Sequence, residues 1–183
     1  MFDTPEPIPQ PRQLHIWQQN LNGSLEGQLD LLQSLNPKLY DLAMLQEPHI
    51  DFLSRTCANS HWIPIYPLRH LDKPKATRSI ILVNTKISTN VWTPIKFESP
   101  DVTSIQMHGD YGTLHIINIY NDCKHAESLK TLELYMKDPA TRAHPIGGNP
   151  LRYIWMGDFN CHHPLWDEER NEHLFTRPNL AAT

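Results

Sequence analysis

Residues 14–48 read LHIWQQNLNGSLEGQLDLLQSLNPKLYDLAMLQEP. Leu14, His15, Ile16 and Trp17 make a short, mostly apolar run that gives way to the polar stretch Gln18-Gln19-Asn20. That length suits a strand and is too short for a helix. Ser24 stands where its hydroxyl can accept from the free amides of a first helical turn. Leu25, Leu29, Leu32 and Leu35 then recur at helical spacing. Asn36-Pro37 stops the pattern, because proline has no amide to donate and clashes with the turn before it. A second short apolar run, Leu42-Ala43-Met44-Leu45, ends in Gln46-Glu47-Pro48. Strand, helix and strand in this order describe a crossover unit with parallel neighbouring strands.

Further along, five segments read as strands, at 62–66, 79–83, 91–97, 102–107 and 113–120. Turn residues separate them at 72–74, 84–86, 99–101 and 109–112. The last of these turns lies between two alternating runs, so 102–120 reads as an antiparallel hairpin. A helix follows with Ala126, Leu129, Leu132 and Met136 on one face; Leu129, Leu132 and Met136 are assigned to the core, and Asp138-Pro139 ends the helix. Residues 139–150 are rich in proline and glycine and read as a loop, and 153–156 form another strand. Residues 1–13, with Pro5, Pro7, Pro9 and Pro11 in alternation, read as an extended leader ahead of a single domain over 14–183. After residue 160 the chain turns polar without another clear strand.

The composition is consistent with one packed core: 183 residues, 39% hydrophobic and 20% charged. With 16 Lys+Arg against 20 Asp+Glu, the formal net charge is -4, which argues against holding nucleic acid by bulk positive charge. It leaves room for an enzyme that grips a phosphate through a metal and a local basic patch. No apolar run approaches the roughly 18 residues of a membrane span, and the start of the chain does not read as a signal peptide. Cys57, Cys123 and Cys161, odd in number and widely spaced, suit a reducing compartment better than a disulfide framework.

Several apolar runs end in a carboxylate or carboxamide: Asn20, Glu47, Asn118, Asn121, Asp158 and Asn160. In parallel sheets, ligands bind at the carboxyl ends of strands, so such residues converge on one rim. Their oxygens suit a hard cation such as Mg²⁺, which takes one or two carboxylates and keeps positions for water and a substrate phosphate. Taken singly, each of these residues is more often a cap or turn former.

In order, Gln19-Asn20-Leu21-Asn22-Gly23, Leu45-Gln46-Glu47-Pro48, Asn118-Ile119-Tyr120-Asn121 and Gly157-Asp158-Phe159-Asn160 resemble the motif series of the endonuclease/exonuclease/phosphatase superfamily. The continuation Cys161-His162-His163-Pro164-Leu165-Trp166-Asp167 closely resembles the endonuclease domain of non-LTR (LINE-type) retrotransposons. The resemblance implies an α/β fold, a two-sheet β-sandwich flanked by helices (DNase I-like), with its C-terminal strands missing. It implies a Mg²⁺-dependent phosphodiesterase, with Mn²⁺ as an alternative ion, that nicks DNA. Glu47 would ligate the metal and Asn20 would orient metal and phosphate. Tyr120 would contact the phosphate, Asp158 would activate or position the attacking water, and Asn160 would hold a phosphate oxygen. The family's late Ser-Asp-His motif does not occur, so the expectation is an incomplete domain with activity severely reduced or absent. A non-catalytic remnant that at most binds nucleic acid, or a phosphomonoesterase of the same superfamily, are the alternatives. An intracellular site would be expected, and the nucleus would suit a mobile-element endonuclease.

Arg69, His70, Lys73, Lys75 and Arg78 form the best basic segment, read either as a solvated loop or as a salt-dependent contact to the DNA backbone. Trp166 is equally suited to packing in the core or to stacking on a base. His162 and His163 beside Cys161 do not make a zinc site, because no second Cys/His pair lies at ligand spacing. His15 and His115 read as structural residues, and His49 lies close to the proposed site.

Overall fold

The first strand–helix–strand unit forms as its sequence predicts. In the computed structural model, which describes residues 13–122, 124–138 and 151–160, β1 (Ile16–Asn20) and β2 (Leu42–Gln46) run parallel, with Ile16 opposite Leu42. Between them lies α1 (Leu25–Ser34), whose first turn is capped by the Ser24 hydroxyl accepting from Gly27 N at 3.0 Å. The buried face of α1 differs from the leucine spacing. Leu25 and Leu29 are exposed, while Gln28, Leu31 and Leu35 are buried. Gln28 can occupy the inward position because its amide group is satisfied: it donates to Thr56 Oγ1 and Cys57 O and accepts from His49 N.

The first sheet is completed by β3 (Trp62–Ile65) and β4 (Ser79–Asn84), in the order β1-β2-β4-β3. The second sheet contains β5 (Trp92–Ile95), β6 (Val102–Gly109), β7 (Gly112–Tyr120) and β8 (Leu151–Asp158), in the order β5-β6-β7-β8. β6 and β7 form the expected hairpin, and β8 lies parallel to β7. α2 (Glu127–Lys137) connects the direction of β7 to that of β8.

Three apolar layers organise these elements. Leu42, Met44, Ile81, Val83, Ile105 and Ile116 pack between the sheets. Leu31 and Leu35 of α1 pack on Ala43, Leu45, Ile80 and Leu82, on the outer face of the first sheet. Leu132 of α2 packs with Val102, Ile117 and Ile119 on the outer face of the second. Covered on both faces, β2 and β4 are buried at every position, which explains their unbroken apolar runs. On α2 the assignment of Leu129 to the core is corrected: it is exposed. Ser128 turns inward instead, donating to Asn121 Oδ1 at 2.9 Å, and Leu132 supplies the buried contact. Met136 is half-buried. His15 precedes β1 and is exposed, whereas His115 is buried in β7 with a ring nitrogen 2.7 Å from the Tyr135 hydroxyl.

A polar clasp crosses between the sheets near the carboxyl ends of the parallel strands. Asn118 of β7 is fully buried; its amide donates to Leu45 O at 3.0 Å and Ile80 O at 2.8 Å, and its oxygen accepts from Gln46 Nε2. Ser79 donates to the Asn118 carbonyl at 3.0 Å, and Thr103 donates to Ser79 O at 2.7 Å. Asn118, expected at the rim, therefore joins the two sheets.

Replacing Asn118 with Leu keeps the volume and strands the polar groups of Gln46, Leu45 and Ile80. A loss of about 3 kcal/mol is expected in urea unfolding, and a change under about 0.5 kcal/mol would refute the clasp. Burial lowers the pKa of His70, and burial followed by neighbouring His108 lowers that of His115. For a depressed histidine, stability is complete above the unfolded value of about 6.5 and falls as pH drops through it toward the folded value. The melting temperature should accordingly fall between neutrality and about pH 5, with a smaller fall in His115→Gln.

Candidate active site

The carboxyl ends of β1, β2, β7 and β8 bring together Asn20, Glu47, Tyr120 and Asp158. At the end of β1, Asn20 is fixed by a local turn in which Asn22 N donates to Asn20 Oδ1 at 2.8 Å. With the oxygen engaged, the Asn20 amide nitrogen faces outward from the turn and donates to two carboxylates, Glu47 Oε1 at 3.0 Å and Asp158 Oδ2 at 2.8 Å. Glu47 comes from the first sheet and Asp158 from the second, so one carboxamide joins acids 111 positions apart in the chain.

Each acid is aimed by its backbone. Glu47 follows β2 in the left-handed conformation, φ +46°, which costs a non-glycine residue roughly 1–2 kcal/mol. Its amide donates to Arg78 O at 2.8 Å and its carbonyl accepts from Gly23 N at 2.8 Å, holding it there. Asp158 ends β8 directly opposite Tyr120. Gly157 before it has φ +140°, and a Cβ there would lie 1.9 Å from Ile119 O, so no other residue fits. Asp158 Oδ1 accepts from Asn160 N at 3.0 Å. Asn160 donates through its side chain to Asn121 O at 2.8 Å, and Asn121 donates to Phe159 O at 2.9 Å, stitching the ends of β7 and β8 together.

Tyr120 lies beside Glu47. Burial first, then the Glu47 charge and a hydrogen bond to it, raise the phenol pKa, so Tyr120 stays protonated at neutral pH. The Arg78 guanidinium sits 4.8 Å from the centre of its ring. Arg78 makes a two-pronged pair with Asp101, Nε and Nη2 each at 2.8 Å, and a further ion pair with Asp122. Burial opposes the Arg78 charge, but these carboxylates outweigh it and raise the guanidinium pKa. Burial pushes Asp101 up against the pull of Arg78, while the Arg78 hydrogen bond holds Asp122 below the usual carboxylate range.

The other sequence candidates do not join this group. Arg69 pairs on the surface with Glu98 at 3.2 Å and Asp72 at 3.9 Å. Lys73 is exposed, and Lys75 Nζ clips the loop by donating to Ile50 O and to Asp51 O. His70 turns inward, bonded to Thr77 Oγ1 at 2.7 Å and Ser54 O at 2.9 Å and stacked on Tyr66. The short helical turns Leu68–His70 and Pro74–Ala76 thus distribute this segment over three environments. His49 Nδ1 lies 3.3 Å from Gly23 O. Trp166, Cys161, His162 and His163 lie outside the described residues. Asp101 entered the sequence reading only as a turn residue and Asp122 not at all; their signal, an acid at each end of the segment that contains Tyr120, is too common a pattern to single out.

With the geometry in hand, comparison with known proteins is informative about architecture. No protein-family model matches the chain, and no curated protein matches it. Among solved structures, the endonuclease domain of TRAS1, a telomere-specific non-LTR retrotransposon, is similar, with a TM-score of 0.60 and 15% identity over 88% of this chain and 68% of that one. What the two share is the fold. The α/β, two-sheet sandwich flanked by helices, DNase I-like in architecture, is the one expected from the sequence. No helix among the described residues is long and apolar enough to cross a membrane.

The amide nitrogen of Asn20 is the group that lets two acids approach each other. Asn20→Asp would place a third carboxylate between them. The variant is expected to lose about 2–4 kcal/mol at neutral pH. Equal urea midpoints for variant and wild type at neutral pH would refute this charge balance.

Proposed function

We propose that this chain carries a Mg²⁺-dependent phosphodiesterase site of retrotransposon lineage that nicks DNA, with Mn²⁺ able to replace Mg²⁺. The single observation that carries the reading is the bridge from Asn20 to Glu47 of one sheet and Asp158 of the other. The fold likeness to the TRAS1 endonuclease domain supports it.

The residues present fit a small, hard divalent cation. Two carboxylates face each other with only an amide dipole between them, which leaves negative charge that such an ion would neutralise. The donor set on the rim is carboxylate and carboxamide oxygen, which suits a hard cation better than a soft one. Glu47, with Asn20 beside it, would hold the ion, as Mg²⁺ takes few protein carboxylates. When bound, the ion supplies charge neutralisation at a phosphoryl oxygen.

The protein's own groups divide the remaining work. Asp158 has Oδ1 fixed by Asn160 N and Oδ2 fixed by Asn20, so its carboxylate is oriented to accept a proton from a water. That water attacks phosphorus in line, the bond to the 3′ oxygen breaks, and the leaving oxygen takes up a proton to become a 3′ hydroxyl. Tyr120, kept protonated by burial and by Glu47, is a donor available to a phosphate oxygen. Asn160, held through Asn121, sits beside Asp158 to receive another.

Supercoiled plasmid with Mg²⁺ is the test substrate. Nicking by the wild type, with a loss of at least about 100-fold in Glu47→Gln and Asp158→Asn, is the expected result. Binding of DNA without turnover would favour a non-catalytic remnant. Release of inorganic phosphate from inositol phosphates in place of nicking would favour a phosphomonoesterase.

A further inference from the structure

We infer that Arg78 is a positioning residue that sets Tyr120 against Glu47, and that it does not contact the substrate backbone. The inference rests on the phosphodiesterase reading for its kinetic test, and its structural content stands without it. Arg78 reaches both residues at once, by different parts of itself. Its carbonyl accepts the Glu47 amide at 2.8 Å, which holds Glu47 in its left-handed conformation. Its guanidinium lies 4.8 Å from the centre of the Tyr120 ring, where a cation is attracted to the aromatic face. Its own amide donates to Pro100 O at 3.0 Å, tying β4 to the segment before β6.

The guanidinium is fixed before any ligand arrives. Nε and Nη2 hold the buried Asp101, and Nη1 holds Asp122, so three of its five N–H donors are committed. Asp122 also faces His125 Nε2 at 3.7 Å. Asp101 also anchors the strand of Tyr120 through its backbone: Tyr120 N donates to Asp101 O at 2.9 Å. One cation thus answers two carboxylates, and the cluster offers no surplus positive charge to a phosphate. A lysine would keep the charge and lose the planar fork that spans Asp101, Asp122 and the ring.

Arg78→Lys and Tyr120→Phe, singly and together, test this in the nicking assay. The expected result is a fall in kcat of about 10- to 100-fold for Arg78→Lys, with KM and its salt dependence unchanged, because small misplacement costs rate and leaves binding intact. In the Tyr120→Phe background most of that fall should disappear, since the two act as a unit. A rise in KM with a flatter salt slope would overturn the inference in favour of a backbone contact. So would additive losses in the double variant. Ring-labelled tyrosine NMR decides the point even if the wild type nicks nothing, an outcome that would reject the nuclease reading alone. Arg78→Lys should shift Tyr120 and leave the other five tyrosines in place. If that variant does not fold, Asp122→Asn, which loosens the guanidinium from one side, should shift Tyr120 in its stead. An unmoved Tyr120 signal in a folded variant would overturn the proposal.

Discussion

A buried carboxamide, Asn118, sets the relation between the two sheets, and everything at the rim depends on that relation. Apolar contact between sheets is strong but non-directional, so by itself it would tolerate sliding. Asn118 removes that freedom, because its hydrogen bonds to Leu45, Ile80 and Gln46 can be satisfied in one relative placement only. Glu47 follows Gln46 by one residue, and Tyr120 follows Asn118 by two. Fixing the clasp therefore fixes the acid of the first sheet against the phenol and acid of the second. Gln18 extends the same chain of amides to β1, donating to Gln46 Oε1 at 2.6 Å, and so carries the constraint to Asn20.

Backbone strain gathers in the same place. Of the four non-glycine residues with positive φ among those described, Glu47 is one of the two acids, Asn22 and Asn160 lie two residues after Asn20 and Asp158, and Ser54 lies apart. Asn is one of the few non-glycine residues that visit this conformation, and Asn22 and Asn160 are each held in it by a backbone amide that donates to the side-chain oxygen two residues earlier, Asn20 Oδ1 and Asp158 Oδ1. Glu47 has no such relief and relies on the bonds its backbone makes to Arg78 and Gly23. Strain held in place by the surrounding fold is a form of preorganisation.

The strands were legible in the sequence because short apolar runs bounded by turn residues have few other readings. The rim was legible for a related reason: each run ended in a polar residue, and parallel pairing brings such ends together. The helices were less so. Leucine spacing alone cannot register that Gln28 and Ser128 find partners inside, and that was enough to turn Leu25, Leu29 and Leu129 outward. Asn118 looked like its neighbours at other strand ends, because burial of an amide depends on carbonyls from β2 and β4 that lie far away in the chain. The run of cations from Arg69 to Arg78 was visible as composition, yet the direction of each side chain follows from two short helical turns and from acids beyond the segment.

Gly157 works as a key cut for one lock. The slot opposite Ile119 admits a hydrogen atom and nothing larger, and among the residues of β8 only glycine can enter it. Were β8 to slip along β7 by a single step in either direction, Met156 or Asp158 would have to take that slot and would collide with the Ile119 carbonyl. Strand alignment is here enforced by exclusion as well as by attraction, and the exclusion acts one peptide away from the acid whose placement matters most.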